Sequence, residues 1–399
     1  MPDVAVPLAS AYLHSEMTNE NSNEVTGLVS NSDGLTPSRL VPVERAAHDL
    51  RAGLPILIDD GDAGALVIGA EFTNSNKLET LTRWSGSIPD LALTHNRAAT
   101  LKIRLYTPGI VLVSITGHVT ADVVRSLADP ELDLARPLRG PFNSKRDPIA
   151  PANLAAVQLA KIGRLLPAVV TVPLPISSSN KEFAAVRDHL CSVDVDAIMS
   201  YDTEAAMRLE RVTSARVPLT GAENSRIIAF RRADGGSEHF AIVIGEPTKP
   251  VLTRLHSECF TGDLLGSLKC DCGQQLRGAI EHIAAEGAGV LLYLAQEGRG
   301  IGLINKLRAY ALQDQGFDTM EANLRLGFEA DERVFLPAAE ILRLLGFASV
   351  RLMTNNPDKV SALEAFGIEV KERVPHKFPT NEHNAFYLST KAEKGGHLL

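Results

Sequence analysis

Apolar segments of two different periods alternate along the second half of the chain, and this alternation constrains the fold more than any other feature. Short runs with the composition of buried strands alternate with segments of helical period, and glycine- or proline-containing turns separate many of them. The pattern predicts strands at 250–256, 289–295, 349–354 and 368–374, and helices at 273–286, 302–316, 337–346 and 358–366. It therefore predicts an α/β domain in which helices flank a β-sheet.

The first half of the chain predicts another region of mixed α and β structure. Helical segments at 43–53 and 153–166 each lead into an apolar, strand-like run, at 55–59 and 168–172. Residues 1–36 are rich in Ser, Thr and Asn and follow neither period, which is typical of a disordered tail.

A predicted β-hairpin marks the start of the later domain. Two β-rich runs between 226 and 245 flank Ala233-Asp-Gly-Gly-Ser237, whose glycines suit the positive backbone angles of a tight turn. We expect an α/β (mixed α+β) protein of two domains, each a β-sheet flanked by helices, over 37–205 and 206–399.

Charge and hydropathy exclude two classes of partner. The formal net charge is -8 at pH 7, which leaves no broad basic surface for nucleic acid. The N-terminus does not have the pattern of a signal peptide, and no run of about 18 apolar residues suggests a membrane span. We expect a cytoplasmic protein that binds neither nucleic acid nor a membrane.

Three of the four cysteines form a cluster with the spacing C-x10-C-x-C, at Cys259, Cys270 and Cys272. In a reducing compartment such a cluster indicates a metal site, and thiolates suit zinc. Three protein ligands are typical of a catalytic zinc ion that keeps a position open for water, whereas a structural ion takes four. His256 is the alternative fourth ligand, and three unrelated core thiols are the remaining reading. Cys191 stands apart and is expected to be a core thiol.

Two turns at predicted strand ends are candidates for binding phosphate. Gln296-Glu-Gly-Arg-Gly-Ile-Gly302 joins a strand to a helix, so its backbone N–H groups and Arg299 would face an anion. Thr354-Asn-Asn-Pro-Asp-Lys359 follows another strand and offers a hydroxyl, two amides and an ammonium. An ordinary strand-to-helix turn is the alternative for the first segment, since it matches neither the P-loop nor the dinucleotide pattern.

A charged segment, Asp331-Glu-Arg333, precedes the helix predicted at 337–346. Charges at this position are usually a solvated first turn that the helix dipole stabilises. From sequence alone, exposure to solvent is the expectation for these three side chains.

These segments together resemble GTP cyclohydrolase II. The resemblance runs through nearly all of the second domain, in the following ordered motifs: Arg254-Leu-His-Ser-Glu-Cys-Phe-Thr-Gly-Asp263, Lys269-Cys-Asp-Cys-Gly273, Gln296-Glu-Gly-Arg299, Asn305-Lys-Leu-Arg-Ala-Tyr-Ala-Leu-Gln-Asp314, Asp331-Glu-Arg333, Thr354-Asn-Asn-Pro357 and Thr390-Lys-Ala-Glu-Lys-Gly-Gly-His397.

The resemblance implies that GTP is converted to formate, pyrophosphate and 2,5-diamino-6-(5-phospho-D-ribosylamino)pyrimidin-4(3H)-one, the first step of riboflavin synthesis. It implies one Zn²⁺ per subunit on the three clustered cysteines and Mg²⁺ with the GTP phosphates. The positions that it assigns to nucleotide binding are Arg254, Leu255, His256, Ser257, Glu258, Gln275, Glu297, Gly298, Arg299, Thr319, Thr354 and Lys359.

Three further positions carry the catalytic roles that the resemblance implies. Asp331 and Arg333 match the family's proton acceptor and nucleophile, and Tyr310 lies in the family's active-site helix. Because a guanidinium stays protonated in proteins, we expect Arg333 to act by electrostatic stabilisation at phosphorus.

The first domain resembles 3,4-dihydroxy-2-butanone 4-phosphate synthase over roughly residues 38–205. Asp49-Leu-Arg-Ala-Gly53, Pro55-Ile-Leu-Ile-Asp-Asp60, Ala65-Leu-Val-Ile-Gly-Ala-Glu71 and Leu91-Ala-Leu-Thr94 carry the likeness. The family's acidic metal-binding run is shortened here to Gly-Asp-Ala-Gly-Ala65 after Asp60, and Ala150-Pro-Ala-Asn-Leu154 replaces its histidine motif. We predict that synthase activity is lost and that Asp59, Asp60 and Asp62 are turn and surface residues rather than metal ligands.

Both resemblances imply a homodimer. Two alternatives stay open for the second domain. One is a relative of the cyclohydrolase acting in another pathway, such as pyrimidine catabolism, and the other is a nucleotide-binding module without catalysis.

Overall fold

The computed structural model describes residues 37–61, 63–137, 139–174 and 178–378. The predicted tail at 1–36, Asp62 and the motif Thr390–His397 lie outside the described residues. Within the described part, no helix is long and apolar enough to cross a membrane.

The first domain is built on a mixed six-stranded sheet in the order β4-β3-β5-β2-β1-β6. Its strands are β1 (Ile56–Asp60), β2 (Ala63–Gly69), β3 (Asp90–Thr94), β4 (Ile110–Ser114), β5 (Ala168–Pro173) and β6 (Cys191–Asp194). Its helices are α1 (Leu40–Arg51), α2 (Ser75–Ser85), α3 (His95–Thr100), α4 (Ala121–Ala128), α5 (Pro151–Ile162), α6 (Lys181–Arg187), α7 (Val195–Met199) and α8 (Tyr201–Met207). Only the β1–β6 pair is parallel among the paired strands.

The second domain is built on a seven-stranded sheet in the order β13-β12-β10-β11-β9-β8-β7. Its strands are β7 (Leu209–Arg216), β8 (Ser225–Arg232), β9 (Gly235–Ile244), β10 (Val251–Ser257), β11 (Gly289–Leu294), β12 (Ser349–Met353) and β13 (Glu369–Val374). Its helices are α9 (Cys272–Ala285), α10 (Gly302–Asp314), α11 (Thr319–Arg325), α12 (Leu336–Leu344) and α13 (Pro357–Ala365).

The parallel part of the second sheet creates a crevice. The strands β13, β12, β10 and β11 run parallel, and β9, β8 and β7 continue the sheet in antiparallel fashion. The chain leaves β10 for β11 on one side and later returns to β12 on the other side. Because such a reversal of strand order opens a crevice at the carboxyl ends of the strands, a ligand site is expected there.

The two domains share one apolar core. Alternate residues of each strand of the first sheet face opposite sides, and the side away from α1 and α5 packs against the second domain. Ile301, Leu312 and Phe328 of the second domain belong to the same buried cluster as Leu66 and Val170 of the first. The helices α10 and α11 of the second domain therefore pack against the first sheet.

Most predicted elements of the second domain are confirmed to within two residues, including β10, β12 and α13. The predicted helix at 153–166 is wrong at its C-terminus, because α5 ends at Ile162 and Arg164 takes a positive φ of 56°. The elements β7 and α11 were not predicted. After its first residue β7 is exposed, so it has no apolar alternation to reveal it. The predicted domain boundary at 205/206 falls between the two sheets and stays a prediction.

Candidate active site

A cleft lies at the carboxyl ends of β10, β11 and β12, where the two predicted turns meet. Most residues that the sequence singled out line it: Arg254, His256, Ser257, Glu258, Cys259, Cys270, Cys272, Gln275, Glu297, Gly298, Arg299, Tyr310, Thr319, Arg333, Thr354 and Lys359. The structure thus brings together residues separated by up to about a hundred positions in the chain.

Two predicted residues do not line the cleft. Leu255 is 1% exposed and lies in the core of the sheet, although its carbonyl accepts a hydrogen bond from Lys359 Nζ at 2.9 Å. Asp331 instead holds the guanidinium of Arg333, with Nε donating to Oδ1 at 2.8 Å. Each of them contacts a side chain that lines the cleft.

The three clustered cysteines form the metal-type group of the cleft. Their sulfur atoms all lie within 4.8 Å of one another, and those of Cys259 and Cys270 are 3.8 Å apart. A tetrahedral zinc site with Zn–S bonds of about 2.3 Å places its sulfurs about 3.8 Å apart, so the spacing fits the metal. A side chain on Gly262 would lie 2.7 Å from Cys270 Sγ, and the close approach of this backbone to the thiols therefore requires glycine.

The electrostatics of the cluster favour a thiolate. Hydrogen bonds with Cys270 and Cys272, together with the ammonium of Lys306, hold the pKa of Cys259 far below its ordinary value. The same hydrogen bonds to Cys259 raise the pKa values of Cys270 and Cys272. These contacts favour the thiolate form of Cys259, which is the form that binds a metal.

His256 is not a fourth ligand in this arrangement. Its Nε2 lies 3.0 Å from the carboxylate of Asp263, and its ring stacks on Tyr293. Burial lowers the pKa of His256, although Asp263 opposes that effect. Among the described residues the metal-type cluster consists of the three cysteines alone, which favours the open site over the closed one.

Lys306 was quoted in a motif but not predicted as a site residue. Its Nζ lies 3.0 Å from Cys259 Sγ and 2.8 Å from Glu297 Oε1. Although burial lowers the pKa of Lys306, the hydrogen bonds to Glu297 and Cys259 raise it overall. The sequence did contain one indication of this role. Lys306 lies four residues before Tyr310 on α10, and residues at that spacing share a helix face, so Lys306 was to be expected near the same site.

Glu297 and Tyr310 close the site around the thiols. Glu297 is 3% exposed and accepts hydrogen bonds from the backbone of Phe260 at 2.6 Å and Gly298 at 2.9 Å. The phenol oxygen of Tyr310 lies 3.5 Å from Thr261 Oγ1, and Lys269 lies over its ring. Glu297 therefore links the cysteine loop to the glycine-rich turn.

Arg254 presents an unsatisfied donor beside the thiols. The residue is 5% exposed, its NH1 donates to the carbonyl of Met353 at 2.8 Å, and its Nε has no partner. Burial lowers the pKa of Arg254 to about 10, which leaves the group charged at neutral pH. Because a buried unpaired donor is costly, this atom indicates a position for a ligand acceptor.

The glycine-rich turn takes an uncommon backbone conformation. Gly298 and Arg299 have φ angles of 65° and 62°, and for arginine this left-handed conformation is unfavourable. A side chain on Gly300 would lie 2.9 Å from the carbonyl of Glu332, so the loop between α11 and α12 packs directly on the turn. The turn is thus more than an ordinary strand-to-helix connection.

The loop between α11 and α12 carries Arg333 into the cleft. Its side chain is 11% exposed, and NH1 lies 3.4 Å from Ser257 Oγ. Although burial opposes the effect, the charge of Arg333 holds the pKa of Asp331 below its ordinary value. The expectation that this segment is a solvated helix turn is wrong for Arg333, because α12 begins only at Leu336.

The second turn supplies polar groups from β12. The hydroxyl of Thr354 accepts a hydrogen bond from the backbone of Asn356 at 3.0 Å, and Asn356 caps α13. Thr319, at the start of α11, accepts a hydrogen bond from Gln313 at 3.0 Å. The two predicted amides of the second turn, Asn355 and Asn356, also line the cleft, as does His376, which was not predicted. His376 lies beyond the motifs that carried the sequence argument.

Similarity to known proteins agrees with this geometry. A family model described as GTP cyclohydrolase II matches residues 210–375. The GTP cyclohydrolase-2 of Azospirillum brasilense is 51% identical over 381 residues, covering 92% of this chain and 98% of that protein. The GTP cyclohydrolase-2 of Proteus mirabilis is 54% identical over 195 residues, covering 48% of this chain and 98% of its own.

Two further likenesses concern the two-domain organisation. The riboflavin biosynthesis protein RibBA of Parabacteroides distasonis is 36% identical over 401 residues, covering 90% of this chain and 98% of that protein. A solved two-domain 3,4-dihydroxy-2-butanone 4-phosphate synthase from A. baumannii aligns over 83% of this chain and 99% of its own, at 18% identity and a TM-score of 0.33. A likeness of that last degree supports no functional conclusion.

The fold and the cleft define an α/β enzyme with its site at the carboxyl ends of parallel strands. The chain belongs to the GTP cyclohydrolase II family. Relatives across both domains are named for riboflavin biosynthesis, which supports that pathway for this chain.

Proposed function

We propose that the cleft hydrolyses GTP to 2,5-diamino-6-(5-phospho-D-ribosylamino)pyrimidin-4(3H)-one, formate and pyrophosphate. One observation carries the proposal: a cluster of three thiols opens into the same cleft as four cationic side chains, Arg254, Arg299, Arg333 and Lys359. A metal site beside a set of cations suits a substrate that is hydrolysed at its base and held by its phosphates.

The thiols of Cys259, Cys270 and Cys272 would hold Zn²⁺. When bound, zinc supplies the Lewis acidity that makes water a nucleophile near neutral pH. Lys306 offsets part of the negative charge of the thiolates, since its ammonium contacts Cys259 directly. Glu297 in turn fixes Lys306, so the charge balance at the cluster is set before substrate binds.

The cationic side chains would hold the triphosphate, with Mg²⁺ bound to its oxygens. Arg333 can stabilise charge that develops at the α-phosphorus, because Asp331 fixes the plane of its guanidinium. The unpaired Nε of Arg254 would donate to an acceptor on the nucleotide. We assign Asp331 to orientation of Arg333, since both of its carboxylate oxygens accept hydrogen bonds from that guanidinium.

Formate release is the direct test of this function. The zinc-loaded protein with GTP and Mg²⁺ is expected to release formate and pyrophosphate, and Cys270→Ser is expected to lose formate release. Cys191→Ser is the matched control, because that thiol lies in the first domain. Absence of formate from a folded, zinc-loaded wild-type protein would refute the assignment, and complementation of a riboflavin auxotroph would separate this pathway from pyrimidine catabolism.

We further propose that the first domain has no synthase activity. Asp59 lies near the end of β1 rather than in the turn itself, and its carboxylate accepts a hydrogen bond from the backbone of Gly61 in that turn at 3.0 Å, which supports a structural role. Among the described residues, the first domain contributes no cluster of metal-type ligands. The protein is expected to form no product from ribulose 5-phosphate with Mg²⁺, and product formation would disprove the proposal.

We also carry over a homodimer from the resemblance. Light scattering of the purified protein is expected to give twice the mass of one chain, and the mass of one chain would contradict it.

A further inference from the structure

The C-terminal end of α5, in the first domain, contacts the loops of the second domain that carry site residues. Lys161 Nζ lies 2.7 Å from Glu332 Oε1, and the two side chains are 20% and 19% exposed. Glu332 stands between Asp331 and Arg333 in the chain. A cation of one domain is therefore paired with the middle residue of a functional segment of the other.

Glu332 connects the two loops behind the cleft. Its backbone N–H donates to the carbonyl of Arg299 at 3.1 Å, and its carboxylate accepts from the backbone N–H of Glu329 at 2.8 Å. Its own carbonyl packs against Gly300. Glu332 is thus bonded to the backbone of Arg299 and is the chain neighbour of Arg333.

Arg164 fixes the end of α5 against the start of α10. Its carbonyl accepts from Asn305 Nδ2 at 2.9 Å, and Asn305 is fully buried. Its side chain packs on Gly302, where an added Cβ atom would lie only 3.0 Å from Cδ of Arg164. This contact places Lys161 next to Glu332 without relying on the ion pair alone.

We propose that Lys161 is a positioning residue for the cyclohydrolase site and acts through Glu332. This rests on the function proposed above. The first domain thereby takes part in the second domain's chemistry without touching substrate. Because small displacements of groups that contact reacting phosphates are costly, loss of the ion pair should lower turnover.

Three variants test the proposal in the full chain. Lys161→Met removes the charge and keeps the length, and it is expected to lower kcat/KM for GTP about ten-fold, with a raised KM. Lys161→Arg keeps the charge and is expected to stay within about two-fold of the wild type. Arg83→Met is the matched control, because it removes a 2.6 Å ion pair with Glu182 inside the first domain.

The path through Glu332 has its own test. In a Glu332→Gln background, Lys161→Met is expected to have no further effect, since the partner charge is already gone. An equal loss in both backgrounds would overturn the proposal, as would a Lys161→Met enzyme that behaves like Arg83→Met.

Amide hydrogen exchange separates this proposal from the proposed function. Exchange at 296–302 and 329–333 is expected to rise in Lys161→Met and in Glu332→Gln, and to stay unchanged in Arg83→Met. This readout needs no turnover, so it decides the positioning role even if the wild type releases no formate. Unchanged exchange in both variants would refute it.

Discussion

The two domains of this chain have the same kind of architecture and differ in what lies at their strand ends. In the second domain, three strands of the parallel set end at thiols, cations and amides that face one cleft. In the first domain, polar side chains at the described strand termini are engaged internally, as at the start of β3, where Asp90 pairs with Lys145 at 2.5 Å. A similar scaffold therefore supports a reactive site in one domain and a packing surface in the other.

The contacts between the domains show what the first domain contributes. The helix α10 turns Lys306 and Tyr310 toward the cleft, and on its opposite side Asn305 and Arg308 bind the first domain. Leu312 of the same helix is buried in the shared core. Loss of catalytic ligands in the first domain would leave this supporting surface intact, which explains how such a domain can persist.

The largest expected effect concerns the thiols. Cys272→Ala is expected to lower formate release by about a thousand-fold, because two ligands hold zinc poorly and the Lewis acid is lost. Trp84, the single tryptophan, lies in the first domain, and its fluorescence should stay unchanged in this variant. Measuring formate release together with this fluorescence separates a loss of catalysis from a loss of folding. Full activity in a metal-free variant would show that the thiols do not distinguish the second domain from the first.

The next effect concerns Arg333. Arg333→Lys keeps the charge but loses the planar pairing with Asp331, so kcat is expected to fall about a hundred-fold. Arg343→Lys is the control, because that arginine pairs with Glu340 on the exposed side of α12. Steady-state kinetics with GTP measure both variants. A loss of less than about three-fold would mean that Arg333 supplies only charge.

A cavity in the shared core tests whether the two domains are one unit. Leu312→Ala is expected to reduce the free energy of unfolding by about 2–4 kcal/mol, since Leu312 is 1% exposed. Because this core spans both domains, the unfolding midpoint reported by Trp84 should fall together with the midpoint from far-ultraviolet circular dichroism. A Trp84 midpoint that does not move would show that the domains unfold separately.

Much of the site could be predicted from the sequence, because its residues lie in short ordered motifs at strand ends. The cysteine spacing, the turn at Gln296–Gly302 and the turn at Thr354–Lys359 each follow a recognisable strand. The pocket residue His376 lies outside these motifs, and Lys306 gave only the signal of helical spacing. Such contacts depend on tertiary packing, which periodicity does not report.

The relation between the domains was beyond the reach of the sequence for the same reason. The ion pair of Lys161 with Glu332 joins residues 171 positions apart. Lys161 makes that contact from the end of α5, which lies at Ile162. The apolar pattern of the sequence continues to Leu166 and therefore does not predict this helix end. The segment 331–333 was expected to be exposed because its sequence is charged. Its packing on Gly300 becomes visible only in the folded structure.

The smallest effect is the dependence of stability on pH that His376 of the second domain contributes. His376 is 5% exposed, and burial, with the charge of Arg254, lowers its pKa to about 4. The unfolded chain, with a histidine pKa of about 6.5, binds a proton first as the pH falls. The contribution of neutral His376 is therefore complete above pH 6.5 and is lost as the pH falls toward 4.

Between pH 6.5 and 5 this histidine should reduce the free energy of unfolding by about 2 kcal/mol. His376→Gln is expected to remove that part of the slope, because glutamine does not titrate and can still donate to the carbonyl of Gln275, which lies 2.9 Å from His376 Nε2. Urea unfolding of both proteins at pH 7 and pH 5 measures it. If the pH dependence of the free energy of unfolding is the same in the variant, His376 is protonated as easily in the folded chain as in the unfolded one. Its burial would then not contribute to the pH dependence of stability.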